Sequence, residues 1–508
     1  MATAVATFGP FAFDRARMTL VRDGRPIALG SRGAALLASL ADAQGGVVTK
    51  ETLMQAAWPG TIVEEANLTV QIAALRRALA AWADGEEWIV TVPRAGYRLA
   101  LPVEEGAATP GAPAVAVLPF DNLSADPEQS FMADGIVEDI ITALSRFRTF
   151  AVVARNSTFA YKGRAIDVRE VARDLGVRYV LEGSVRRSGD KVRVSAQLIE
   201  GATGAHLWAE TFDGAATDIF EFQDKITNSV IGLIEPRIRK AEIDRARRKR
   251  PESLDAWDLY VQAVPLVYGA KVPAYTEAID MLHRALALAP DYGPALAFAS
   301  WAHEKRKTFG GTAPSGVDDV EMALAFAERA LAVDPDDALA MALLGWERIL
   351  FHLDYSRLDL CTRAAELNPN NRAVLDLAAV AHMHAGDLDK VLAYAMHALE
   401  LSPGAPDAYM CMTHISSAHL CSGRFAEAAM WAQRSIDLEK EFVFNYLHLA
   451  ISKAHLGELD AARAAMKTTL ALRPDFNMKN QTEGDPMLFA DRKKIWNEGC
   501  RLAGMPEG

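Results

Sequence analysis

At 508 residues the chain is long enough for three or more domains, and with half its residues apolar it can fill large cores. A formal net charge of −12 excludes general coating of nucleic acid, although a small reader domain can carry its own local field within an acidic chain. Cys361, Cys411, Cys421 and Cys500 lie far apart without a metal-type spacing, the amino terminus lacks a basic stretch leading into an apolar run, and no segment approaches the roughly 18 apolar residues that cross a bilayer; the expectation is a cytoplasmic, membrane-free protein with free thiols.

In chain order, Phe11 to Leu29 alternates around a turn at Asp23-Gly24, and Arg32 to Leu40 and Lys50 to Trp58 read as short helices. Glu65 to Leu79 then reads as an amphipathic helix. At about 100° per residue, Leu68, Ile72, Leu75 and Leu79 share a stripe that must face a core, while Val70, Ala73, Ala74 and Arg77 point the opposite way and Asn67, Thr69, Gln71 and Arg76 flank that outer face. Trp88 to Val92 and Gly96 to Leu101 are strand-like runs joined by Pro93-Arg94-Ala95, a tight turn carrying one arginine. A helix followed by a basic hairpin tip fits adjacent grooves of DNA. Residues 1–103 hold ten Arg/Lys against nine Asp/Glu, so any favourable field must come from the arrangement of the charges.

Residues 104–114 have the small, Pro/Gly-containing composition of a linker. Beyond it, 115–214 reads as α/β: a buried strand at Val115 to Phe120, a helix from Phe131 to Phe147, a strand at Phe150 to Ala154, a helix at Val168 to Leu175, and three strands over 178–187, 191–199 and 205–212. Asp134, Glu138 and Asp139 invite a metal or acid/base reading, but acidic residues in a helix's first turns more often complement its dipole. Residues 215–250 read as a connecting helix bent at Pro236. Its end, Arg237 to Arg250, has eight basic residues in fourteen, fit either to grip phosphates or, as favoured, to be a solvated connector.

Residues 251–508 are periodic. The phrase Ala-Leu-x-Leu-x-Pro recurs, in full or degenerate form, ending at 290, 335, 369, 403, 440 and 474, at intervals of 45, 34, 34, 37 and 34 residues. Each unit is too small to bury its own apolar face and must stack on its neighbours, with Ala285, Ala330, Ala398 and Gly457 expected at close-packing positions and an inserted loop over Gly310 to Val317. The concave face of such a superhelix commonly holds a peptide or partner helix. His382, His384, His397, His414 and His419, and the tryptophans of this half, are expected to pack rather than bind metal or ligand, and no cofactor is expected.

These residues carry three resemblances. The first 103 residues resemble the OmpR/PhoB-type winged-helix domain through Asp23-Gly24, Gly46 to Leu53, Trp58-Pro59, Asn67-Leu68-Thr69, Leu75 to Leu79 and Gly96-Tyr97-Arg98. Residues 115–214 resemble the amino-terminal domain of TolB-like proteins through Val117 to Phe120, Phe131 to Gly135, Tyr179 to Val185 and Gln197 to Ile199. The 34-residue period resembles tetratricopeptide repeats. Together they give a multidomain α+β chain, a winged helix, then a small α/β domain, then an all-α solenoid, similar to HilA/CadC-like regulators without a membrane span.

The resemblance implies a non-enzymatic regulator that binds double-stranded DNA and whose α/β and repeat domains sense a protein, peptide or ligand. Asn67 and Gln71 would bond base edges, Val70, Ala73 and Ala74 would meet thymine methyls, Arg76 and Arg77 would hold phosphates, and Arg94 would enter the minor groove. Trp58, Thr69 and Tyr97 would support backbone contacts. Ala73 and Ala74 stand where relatives often carry arginines, and homodimerisation is one remedy for the weaker binding this implies. Two other classes stay open: a repeat-based scaffold whose winged helix no longer binds DNA, and a signalling enzyme, since TolB-like and repeat segments also accompany nucleotide cyclase domains. The chain shows no phosphate-binding loop, zinc-protease, nucleophile-elbow or paired-cysteine motif.

Overall fold

The computed structural model describes residues 5–8, 11–14, 17–22, 25–27, 29–43, 48–59, 63, 65–80, 88–92, 96–99, 111–124, 130–164, 166–189, 191–215, 219–250, 253–401, 405, 407–482 and 490–508. It opens with an antiparallel meander, β1 (Val5–Phe8), β2 (Phe11–Asp14), β3 (Thr19–Arg22) and β4 (Arg25–Ile27). There follow α1 (Ser31–Asp42), β5 (Val48–Thr49), α2 (Lys50–Ala57), α3 (Glu65–Ala80), β6 (Ile89–Val92) and β7 (Gly96–Leu99), with a second sheet ordered β5-β7-β6. Phe11 and Phe13, two apart on β2, turn to the same face and meet Leu36, Leu37 and Leu40 of α1 in one core. Thr49 caps α2 by accepting from the Thr52 amide at 3.2 Å. The expected turn at Asp23-Gly24 lies outside the described residues.

The α/β unit comprises β8 (Ala114–Val117), β9 (Asp121–Asn122), α4 (Ser130–Leu144), β10 (Ala151–Val152), α5 (Arg155–Phe159), α6 (Val168–Leu175), β11 (Tyr179–Ser188), β12 (Lys191–Glu200) and β13 (Ala205–Ala215). The sheet runs β10-β8-β11-β12-β13, parallel at β10, β8 and β11 and antiparallel beyond, with β9 paired to β11. Alternation explains why β8 and the start of β11 are apolar throughout. Val115, Val117, Tyr179 and Leu181 join the core under α4, while Ala116 and Val180 pack against Ala172 of α6 on the other face. Of the acidic trio on α4, Asp134 pairs with Lys162 at 2.5 Å and Glu138 with Arg155 at 3.5 Å.

The helix over 215–250 departs from its expected role. As α7 (Ile219–Ala246) it is continuous through Pro236, and Phe222, Ile226, Val230, Ile234 and Ile238 are buried in the same core as α4 and the sheet, so it completes the α/β unit. Its basic end is solvated in part: Arg237, Lys240, Arg247, Arg248 and Arg250 are exposed, while Arg239, Arg245 and Lys249 are half-buried. Glu242, fully buried, accepts from Tyr179 Oη at 2.6 Å, Arg178 Nη1 at 2.5 Å, Trp257 Nε1 at 2.8 Å and Arg245 Nη2 at 3.0 Å. Arg245 and Lys249 also pair with the buried Asp258. Two of the eight basic side chains thus serve an ion network joining β11, α7 and the next helix. Gly232 is required where α7 meets the solenoid, because a Cβ there would lie 2.1 Å from the Leu401 carbonyl oxygen.

The remaining chain is helical: α8 (Ala256–Tyr268), α9 (Val272–Leu288), α10 (Gly293–Thr308), α11 (Asp319–Val333), α12 (Ala338–His352), α13 (Leu358–Leu367), α14 (Arg372–Ala385), α15 (Leu388–Leu401), α16 (Ala408–Cys421), α17 (Phe425–Leu438), α18 (Val443–His455), α19 (Leu459–Leu472), α20 (Met478–Thr482) and α21 (Ala490–Leu502). From α8 to α19 they pack as successive pairs, and each recurring phrase closes the second helix of a pair. Its first position, Ala285, Ala330, Ala364, Ala398, Ser435 or Thr469, is fully buried, which is why only small residues occur there. Ser435, replacing alanine, bonds its hydroxyl to the Tyr409 carbonyl at 2.8 Å.

Gly457 is not a close-packing position. Its φ is +78° and a Cβ there would point into open space, so it serves the left-handed turn after α18. The inserted segment after α10 is a loop, as its Gly and Pro content predicts. His382 bonds Thr362 at 3.0 Å while His384 packs on Trp346, so the two diverge from one helix. All four cysteines are buried free thiols. No described helix is long and apolar enough to cross a membrane.

Candidate nucleic-acid interface

The helix α3 owes its orientation to its stripe. Leu68, Ile72, Leu75 and Leu79 are buried with α1, α2 and the second sheet, and this turns Asn67, Thr69, Val70, Ala73, Ala74 and Arg77 outward, all exposed, with Gln71 half-buried. Val70 stands out, 62% exposed in a domain whose other large aliphatic side chains on this helix are buried. The outer face is therefore apolar at its centre and polar at its edges.

Arg76, expected at a phosphate, is half-buried beside the wing. Its Nε donates to the Ile89 carbonyl at 2.8 Å, tying α3 to the first wing strand. Arg77 is exposed, and its Nε donates to the Ala73 carbonyl of its own helix at 3.3 Å. Trp58 and Tyr97 are likewise in the core and not at the surface. Arg32 lies over the Trp58 ring at 5.4 Å, a cation–π contact that the sequence did not single out because the partners are 26 positions apart.

The wing is set by register. β6 and β7 pair Thr91 with Tyr97 and Val92 with Gly96. Gly96 is needed because β5 passes so close that a Cβ would lie 2.0 Å from the Val48 carbonyl oxygen. Arg94, expected at the hairpin tip, lies outside the described residues.

Comparison with known proteins bears on this geometry. The family model described as "Transcriptional regulatory protein, C terminal" matches residues 24–99. These residues form an OmpR/PhoB-type winged-helix domain. The model of the second domain of HilA/YgeH-like transcriptional regulators matches residues 112–229, so the α/β unit, likened from its motifs to TolB-like proteins, finds its match in that family, and the match extends into α7.

Over 255 residues the chain is 42% identical to "Putative adenylate cyclase 3" of Rhizobium meliloti (strain 1021), covering 49% of this chain and 43% of that protein. Over 339 residues it is 23% identical to transcriptional regulator HilA of Salmonella typhimurium, covering 64% of this chain and 58% of that protein. The chain thus spans about half the length of these curated relatives. Among solved structures, the DNA-binding domain of E. coli CadC is 29% identical, covering 20% of this chain and 94% of that domain, at a TM-score of 0.19.

Proposed function

We propose that the chain is a cytoplasmic DNA-binding transcriptional regulator without enzymatic activity, whose α/β and repeat regions sense a partner or ligand. The observation that carries the reading is the outer face of α3, where Val70, Ala73 and Ala74 lie exposed between Asn67, Gln71 and Arg77 on a helix held rigid by its opposite stripe. In a major groove, Asn67 and Gln71 would bond base edges, the three apolar side chains would meet thymine methyls, and Arg77 would hold a phosphate while Arg94 reached the minor groove from the wing. Arg76 acts one step back, holding helix and wing in a fixed relation. Both matched family models describe transcriptional regulators, which supports this reading over the cyclase named for one relative.

The test is electrophoretic retention of a promoter fragment by the full chain across a salt series. Arg77→Ala should weaken binding at every sequence and reduce the slope of log affinity against log salt by about 1, as loss of one phosphate contact does. Arg94→Ala should weaken binding without changing the circular dichroism. Undiminished retention by both variants would remove these roles, and conversion of ATP to cyclic AMP by the purified chain would overturn the non-enzymatic reading.

A further inference from the structure

The sequence anticipates an open concave groove, but the superhelix closes on itself. In an extended solenoid each unit touches only its neighbours. Here α10 and the residues after it reach helices more than a hundred positions later: Lys305 Nζ donates to Met410 Sδ at 3.6 Å, Arg473 Nη1 to the Thr308 carbonyl at 3.5 Å, and the Phe309 ring lies 5.5 Å from Phe442 and 6.0 Å from Phe444. Tyr409 Oη also donates to the Tyr268 carbonyl at 3.1 Å. The concave face thereby becomes a cavity of about 360 Å³, at the small end of the range for ligand sites and ill-suited to an extended peptide.

The cavity walls are aromatic and apolar, with Trp301, Trp346, Met383, Phe444, Phe476 and Trp496 contributing from successive helices. Lys305 also lines it and is 1% exposed. Its ammonium lies over the Trp301 ring at 5.0 Å and makes no ion pair among the described residues. The cavity's acids are already committed: Asp376 pairs with His414 at 3.0 Å, and Glu304 accepts from Thr308 at 2.8 Å while burial pushes its carboxyl up. Arg473 pairs with Asp475 at 2.8 Å. His384 and His448 each leave a buried Nδ1 without a hydrogen-bond partner. Burial pushes the Lys305 ammonium down to about 8, still charged at neutral pH. Glu304 and Asp376 act on the Lys305 charge from nearby without forming an ion pair with it, so a buried cation lacking a direct counter-ion and two histidine Nδ1 atoms lacking a partner share an aromatic cavity that can take a further anion.

We propose that the closed solenoid binds a small organic acid, an aromatic or aliphatic body with one carboxylate, whose body packs on Trp301, Trp346 and Phe476 and whose carboxylate meets Lys305, with His384 and His448 as hydrogen-bond partners. This deepens the reading of the repeats as the sensing region and rests on it only for its biological use. The test measures binding by the full chain without DNA, so its failure is separable from failure of DNA recognition. Indole-3-acetate, phenylacetate and octanoate are compared, each beside its uncharged amide, by thermal shift and calorimetry. At least one acid should raise the melting temperature where its amide does not, and Lys305→Met should weaken that acid at least tenfold while leaving the unliganded melting temperature unchanged or higher. A structural lysine would instead lower it; in that case His448→Phe, which fills the same space, must abolish the acid-dependent shift. No acid surpassing its amide, or undiminished binding by both variants, overturns the proposal.

Discussion

Glu242→Ala should lower the stability of the full chain by about 3–5 kcal/mol, the usual cost of removing one partner from a buried ion pair. The carboxylate takes donors from four residues, Arg178 just before β11, Tyr179 on β11, Arg245 on α7 itself and Trp257 on α8. Its removal leaves two guanidinium groups without their shared counter-charge and orphans the Tyr179 and Trp257 donors in a buried setting. Both arginines keep 27% of their side-chain surface, so water recovers part of the loss and the lower end of the range is the better expectation.

The pH dependence follows in sign. Burial pushes the Glu242 carboxyl up, but hydrogen bonds from Tyr179 and Arg178, the Arg178 charge and the Trp257 bond outweigh it, and the group titrates below the ordinary 4.5. Because the folded value is depressed, its contribution is present above the unfolded value and is lost as pH falls through the folded one. Urea unfolding followed by circular dichroism at pH 7 and pH 4 checks both statements. Glu242→Gln should lose part of the stability and this carboxyl's share of the pH dependence, whereas an unchanged midpoint for Glu242→Ala would show that the network holds nothing together.

Val70→Glu should reduce affinity for a promoter fragment at least tenfold without lowering the melting temperature. At 62% exposure, a glutamate there is solvated in the free protein and costs the fold little. In a major groove it would replace an apolar contact with a carboxylate facing base acceptors and phosphates. A well-formed base contact carries about 1–3 kcal/mol of discrimination, and about 1.4 kcal/mol is tenfold in affinity. Leu68→Glu, two residues earlier and fully buried, is the contrast: it should unfold the domain. Full binding by Val70→Glu would place the DNA-reading surface elsewhere.

Much of this was legible from spacing. The stripe of α3 predicts which residues are buried and which are outward, and every one of Leu68, Ile72, Leu75 and Leu79 is in the core. The strands within Phe11 to Leu29, the wing strands, the order of the main α/β elements and the small residue opening each recurring phrase follow from period 2, period 3.6 and a 34-residue repeat, which are local properties, whereas β1 (Val5–Phe8) was not read from the sequence. The short α5 carried no such signal, since five residues give less than two helical turns.

Long-range partners were another matter. Arg76 and Arg77 are neighbours of the same type on one helix, and only the approach of Ile89 separates an arginine tied to the wing from an exposed one. The basic run of α7 reads as surface until Glu242, Asp258 and Arg178 are brought together from as far as 80 positions apart. Lys305 is a lysine at the end of an alanine-rich helix until the superhelix closes over it. The sequence by itself determined the elements, their faces and their order, because hydrophobic periodicity acts over one or two turns. Only the tertiary structure decided which charges are spent on each other and which remain unpaired, because a charge is neutralised by what lies a few ångströms away in space, and distance along the chain does not report that.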